Sequence, residues 1–201
     1  MKTKKLHYFS GLTITVFIVF HLLNHVFSIE SAEKHIQIMD TFRLVYRHPF
    51  AETILLVAVC VQIISGLKLF SRKRKIAYGF FEKLHIWSGL YLAFFFIIHL
   101  SAIMVGRYVL KVDTNFYFGV AGLNAFPFNL FFIPYYACAI LAFFSHIAAI
   151  HHSKMQQPIL GLSPLFQSFI IIFSGILITI LIFYGLINGF AGVEMPLEYQ
   201  L

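Results

Sequence analysis

The sequence predicts an all-α, polytopic membrane protein with five transmembrane helices in an up-down bundle. Hydrophobic residues make up 60% of the 201 positions and charged residues only 11%, which is too little polar surface for a water-soluble domain of this size. Apolar runs of about 20 residues recur along the chain, and each is long enough to cross a bilayer core of ~30 Å. In hydrocarbon the backbone must satisfy its own hydrogen bonds, so we expect these runs to be helices.

The five runs lie near residues 8–28, 50–70, 85–105, 129–150 and 165–190. They leave almost no length for a separate soluble domain, so we expect one membrane domain over residues 1–201. The connection 29–49 is long enough for a short interfacial helix. The connection 106–128 mixes Gly, Asn, Pro and aromatic residues and is expected on the outer membrane surface.

Lys and Arg are unevenly divided between the two sides of the predicted bundle. One side carries Lys2, Lys4, Lys5, Lys68, Arg72, Lys73, Arg74, Lys75, Lys83 and Lys154, and the other carries Lys34, Arg43, Arg47, Arg107 and Lys111. Cytoplasmic loops are the ones enriched in Lys and Arg, so we expect a cytoplasmic N-terminus. Topology and anionic lipid account for the formal charge of +7, and no nucleic-acid partner is expected.

The first and third runs are near copies of one another. "LHYFSGLTITVFIVFHL" begins at position 6 and "LHIWSGLYLAFFFIIHL" at position 84. This repetition predicts that helices 1–2 and 3–4 are hairpins related by internal duplication, with the fifth helix added. The second helices match less closely, because an overlay of Ser71 on Ser153 leaves Gln62 two positions short of His146.

Each copy holds two histidines fourteen residues apart, His7 with His21 and His85 with His99. Fourteen residues is close to four helical turns, so both histidines of a copy share a face, ~21 Å apart along the axis. The two helices run in the same direction in the predicted bundle, which makes His7 level with His85 and His21 level with His99. Intramembrane histidine is a functional candidate and a recurrent axial ligand of haem iron. The two pairs predict one or two b-type haems clamped between the helices.

Small residues follow the first histidine of each copy. Gly11 and Gly89 would let a large ring or a neighbouring helix approach the backbone. Ser10 and Ser88 would bond a nearby polar edge or, as serine in a helix commonly does, their own helix backbone.

The remaining histidines and two arginines have separate interpretations. His146 lies in the apolar stretch "ILAFFSHIAAI" and is expected to be a ligand, a quinone contact or a proton relay. His25, one turn after His21, is a rival ligand. Solvated loop positions are expected for His35 and His48, a dipole-stabilised helix end for His151 and His152, and contact with haem propionates for Arg43 and Arg107.

These motifs, over roughly residues 1–155, resemble the cytochrome b membrane anchor subunits of the succinate dehydrogenase and fumarate reductase family. The resemblance implies that His21 and His99 form one axial pair and that His146 is the fourth-helix ligand. Gln62 stands where two-haem members have their second-helix histidine. The resemblance also implies electron transfer with a quinone, flavoprotein and iron–sulfur partners on the cytoplasmic face, and a bacterial inner membrane.

Several alternatives stay open at this point. His7 and His85 could hold a second haem, either could pair with His146, or His7, Ser10 and His85 could line a quinone pocket. Other functions are a haem-free scaffold or small-solute transporter with the same fold, and a transition-metal site built from His7, His85 and His146. The sequence contains no phosphate-binding loop, dinucleotide fingerprint or nucleophile–base signature, so no catalytic residue is predicted.

Overall fold

The structure, a computed structural model, describes residues 2–200. Within that range the chain is 80% helical and contains no strand, as the all-α prediction requires. The seven α-helices are α1 Lys2–Val26, α2 Ala32–Tyr46, α3 Pro49–Lys73, α4 Phe80–Met104, α5 Phe116–Asn124, α6 Asn129–Lys154 and α7 Pro164–Leu186.

Five of these helices are long and apolar enough to cross a membrane, which confirms the five predicted runs. They cover Lys2–Ile29, Pro49–Lys73, Phe80–Leu110, Asn129–Lys154 and Pro164–Leu186. The first includes a short 3₁₀ turn after α1, and the third includes a π-helical turn, Val105–Leu110, after α4. The last ends before residue 190 because the backbone turns at Asn188 and Gly189, which adopt φ values of 48° and 62°.

Two shorter helices occupy the long connections between spans. The helix α2 confirms the one expected in 29–49, and the Ser31 side chain caps it by accepting a hydrogen bond from the Lys34 backbone N–H at 3.1 Å. The connection 106–128 contains α5, which the sequence reasoning did not predict. Its cap is Asn115, whose side chain accepts from the Tyr117 N–H at 3.0 Å.

The packing pairs the two helices of each predicted hairpin. The helix α1 packs on α3, α4 packs on α6, and α3 contacts α4, while α7 lies against α6 and α1. The buried hydrophobic core joins α5 to α6 and α7 through Phe116, Val120, Leu123, Ile140, Ile182, Phe183 and Leu186. This core holds α5 beside a cavity into which α1 and α4 direct their histidines.

Candidate functional site

A cavity of about 300 Å³ lies among all seven helices. Cavities of ~300–1,000 Å³ are typical of small-molecule and cofactor sites. Its wall is mainly aliphatic and aromatic, and its histidines are His21, His25, His35 and His99. The two histidines predicted to face one another at the C-terminal ends of the duplicated motif therefore share one cavity.

The spacing of His21 and His99 fits a shared metal atom. Their ring centroids are 6.2 Å apart, with an angle of 66° between the ring planes. With a metal–nitrogen bond of about 2.0 Å and the nitrogen about 1.1 Å from its ring centre, two imidazoles on opposite sides of one metal have centroids roughly 6.2 Å apart. An imidazole can rotate about its metal–nitrogen bond and remain a ligand, so the interplanar angle of 66° is compatible with the same arrangement.

Each of these imidazoles is held by a phenyl ring one turn earlier on its own helix. Phe17 stacks on His21 with centroids 5.5 Å apart and an interplanar angle of 17°. Phe95 stacks on His99 at 5.0 Å and 14°. Phe17 and Phe95 occupy the same place in the two sequence copies, so the duplication preserves the support of the ring together with the ring itself.

A chain of imidazoles leads from His21 through His25 of α1 to His35 of α2. His25 Nε2 lies 3.2 Å from His21 Nε2, and His25 Nδ1 lies 3.3 Å from His35 Nε2. His25 therefore bridges His21 and His35 through both of its ring nitrogens. The side-chain amide of Asn24 hydrogen-bonds His35 Nε2 at 3.1 Å.

His35 is buried, and the expectation that it is a solvated loop residue was wrong. It lies on α2 with 3% of its surface exposed and contacts the ring of Phe116. Burial lowers the pKa of His35 to about 4, so the ring is neutral at pH 7. The available signal was its spacing of four residues from Met39, the other buried residue of α2, which puts both on one helical face.

Charged side chains line one part of the cavity wall. Arg47 and Arg107 both reach it, and Arg107 is paired with Glu52. Arg43, which we expected beside a propionate, instead pairs with Asp40 and Asp113 at 3.1 and 2.9 Å. Arg47 takes its place in the lining, and its Nη2 donates to Thr114 at 2.9 Å. The sequence reasoning did not single out Arg47.

The other histidines of the repeats form a separate group, the His7 cluster, defined as His7, Ser10, Gln62, Ser65, His85, Ser88 and His146. On the α1–α3 side, Ser10 Oγ donates to Gln62 Oε1 at 2.6 Å and Gln62 Nε2 donates to His7 Nε2 at 3.2 Å. His7 Nδ1 then donates to Ser65 Oγ at 2.9 Å, and Ser65 donates to the Val61 carbonyl at 2.6 Å. Every polar group along this line has a partner.

On the α4–α6 side, His146 Nδ1 donates to the backbone carbonyl of His85 at 3.1 Å and lies 3.2 Å from Ser88 Oγ. The rings of His85 and His146 are in contact, with centroids 4.4 Å apart. Ser88 also donates to the Leu84 carbonyl at 2.5 Å. The single hydroxyl hydrogen of Ser10 is shared between Gln62 Oε1 and the Leu6 carbonyl oxygen, which lies 2.8 Å from Ser10 Oγ.

Gln62 and His146 occupy equivalent places in the two halves. Gln62 meets Ser10 across 52 residues of chain, and His146 meets Ser88 across 58. A Cβ placed on Gly11 would lie 3.3 Å from Gln62 Nε2, and one on Gly89 would lie 3.0 Å from His146 Cε1. The missing side chain of Gly11 therefore makes room for Gln62 of α3, and that of Gly89 makes room for His146 of α6. The two-residue offset in the sequence overlay disappears in the structure.

The remaining histidines lie outside both groups. His48 is exposed, as expected. His151 bonds Gln167 Oε1 at 2.8 Å, and His152 stacks on Phe81 with centroids 4.1 Å apart. Within residues 2–200 no three His, Cys, Asp or Glu side chains converge as a metal-ion site.

No family model matches the chain, and no curated protein or solved structure matches it either.

Proposed function

We propose that this chain is a membrane electron-transfer subunit that holds b-type haem between His21 and His99 and exchanges electrons with a quinone pool. The proposal rests above all on the 6.2 Å separation of the two ring centroids across a shared cavity. Two phenyl stacks and an apolar wall support it, because they fix the imidazoles and exclude water.

The residues of the cavity divide the work of holding the cofactor. His21 and His99 would each give one imidazole nitrogen to the iron, with Phe17 and Phe95 fixing the ring orientations. Arg47 and Arg107 would pair with the propionate carboxylates of the haem at the charged part of the wall. When bound, haem supplies one-electron chemistry, and the protein contributes ligands, position and a low-dielectric sheath.

Orientation and partners follow from charge and from the resemblance. We place the N-terminus and the basic connection around Arg72–Lys75 on the cytoplasmic side of a bacterial inner membrane, with the spans running alternately up and down. The resemblance to succinate dehydrogenase and fumarate reductase anchors suggests flavoprotein and iron–sulfur subunits as the partners on that side.

The test is a reduced-minus-oxidised spectrum with haem quantification on detergent-purified protein. We expect a Soret band, α and β bands that sharpen on reduction, and reduction by a quinol. His21→Ala should lose that haem. Purified protein without a Soret band, after growth with added haem precursor, would instead favour the haem-free scaffold.

A further inference from the structure

The residues of the His7 cluster point to a difference from the two-haem arrangement. We propose that hydrogen bonds engage His7 and Gln62 completely and that His85 and His146 pack ring against ring, so the chain holds one porphyrin and Gln62 ties α1 to α3 where a second cofactor would otherwise sit. The inference rests on the proposed function for its count of one haem. The role of Gln62 as a tie between helices stands on its own contacts.

Both ring nitrogens of His7 make hydrogen bonds to side chains of α3. Its Nε2 accepts from Gln62 and its Nδ1 donates to Ser65, at 3.2 and 2.9 Å. Ligation would break one of these bonds and leave a half-buried amide or hydroxyl unpaired, which costs about 1–3 kcal/mol. Within residues 2–200 no hydrogen bond or ring contact joins His7 to His85.

His85 and His146 stand too close together to be ligands on opposite faces of a porphyrin. Their centroids are 4.4 Å apart, whereas His21 and His99 are separated by 6.2 Å. Opposite ligation needs roughly 6.2 Å, from a metal–nitrogen bond of about 2.0 Å on each side. His146 is also anchored on the His85 carbonyl, and Gly89 beneath it leaves little room to withdraw.

The remaining pairing, His146 with the α3 position, meets the side-chain amide of Gln62. Its oxygen accepts from Ser10 and its nitrogen donates to His7, so both ends of the amide are engaged between α1 and α3. A glutamine carbonyl is also a poor ligand for haem iron beside imidazole or thiolate. Gln62 thus links α1 to α3 by hydrogen bonds, at the position where a histidine would bind iron.

The first experiment counts haem per chain in the purified protein and its variants. We expect a ratio near one that falls in His21→Ala and is unchanged in His85→Ala and His146→Ala. A ratio near two, or loss of half the haem on removal of His85 or His146, overturns the inference. Wild-type protein without haem would defeat the proposed function, and the second experiment then decides about Gln62.

The second experiment is a double-mutant cycle on thermal unfolding in detergent, with Gln62→Ala, His7→Ala and the double variant. We expect each single change to lower the midpoint and the double change to lower it by clearly less than the sum, because the two side chains share one bond. Cys60→Ala, an exposed position on the same helix, is the matched control and should leave the midpoint in place. Additive effects of Gln62 and His7 would overturn the tie.

Discussion

Removal of the His99 ring is the most direct perturbation of the candidate site. In the wild type each ring centroid lies half of 6.2 Å from the midpoint between His21 and His99. An alanine methyl group at 99 cannot span that distance, so in the proposed haem site His99→Ala would leave the iron with one protein ligand. Loss of a residue that merely supports a ligand commonly weakens metal binding about 10–100-fold, so loss of the ligand itself should weaken haem binding by at least about 100-fold.

Occupancy converts this expectation into a measurement. At a free haem concentration about ten times the wild-type Kd, mass action gives about 90% occupancy for the wild type and about 10% after a 100-fold loss. The assay is a haem titration of apo-protein in detergent, followed at the Soret band. Free imidazole fits the volume that the truncated side chain vacates, so millimolar imidazole should restore much of the band to His99→Ala.

The control for this experiment is His48→Ala, which removes an exposed histidine between α2 and α3. It should bind haem as the wild type does and ignore added imidazole. Retention of most of the haem by His99→Ala, with an unaltered spectrum and no response to imidazole, would refute the assignment of the two facing rings as ligands.

Three further predictions concern stability, each read from the thermal midpoint in detergent. A Cβ on Gly122 would lie 2.2 Å from Phe132 Cδ2, so Gly122→Ala should lower the free energy of unfolding by about 1–3 kcal/mol. A Cβ on Gly119 of the same helix would meet nothing within 4 Å, so Gly119→Ala should leave the free energy of unfolding unchanged or raise it by up to ~1 kcal/mol. Equal midpoints for the two would contradict this packing. Burial lowers the pKa of His35 to about 4, so this imidazole takes up a proton more readily in the unfolded chain than in the folded one. The free energy of unfolding should therefore fall by up to about 3 kcal/mol as the pH is lowered from 6.5 to 4. His35→Gln should remove that part of the pH dependence. Asp113→Asn removes the ion pairs with Arg43 and Arg47. It should destabilise the fold by about 0.2–1 kcal/mol per pair, lowering the midpoint slightly, and by less in high salt.

The sequence was sufficient for the spans because apolar length is a local property. All five runs became helices, and the copied motif correctly brought His21 and His99 to one cavity. The equivalence of Gln62 and His146 was harder to see. The apolar side chains of these helices are too similar to fix an alignment of one helix with the other. The overlay was therefore based on Ser71 and Ser153 near the helix ends, and it was displaced by two residues.

Burial between elements that are distant in the chain could not be read from composition. His35 looked like a polar loop residue, and its neutral, buried state depends on where α2 settles against α1 and Phe116. The helix α5 was missed because its Gly-rich sequence is a weak helix former, and it is held by packing against α6 and α7. Arg47 was overlooked for the same reason, since its place in the cavity wall and its bond to Thr114 join connections that are distant in the sequence.

The π-helical turn Val105–Leu110 at the end of α4 makes the ion pair between Arg107 and Glu52 depend on how many residues the turn contains. Successive residues of an α-helix advance by about 100° around the axis, and a π turn absorbs extra chain into the same length of helix. Arg107 lies in this turn and meets Glu52 of α3. Deletion of Gly106 would bring Arg107 one residue closer to α4 and swing its guanidinium by about 100° around the helix, away from the carboxylate. Sequence length in this turn is therefore a determinant of charge at the cavity wall that no substitution scan would reveal.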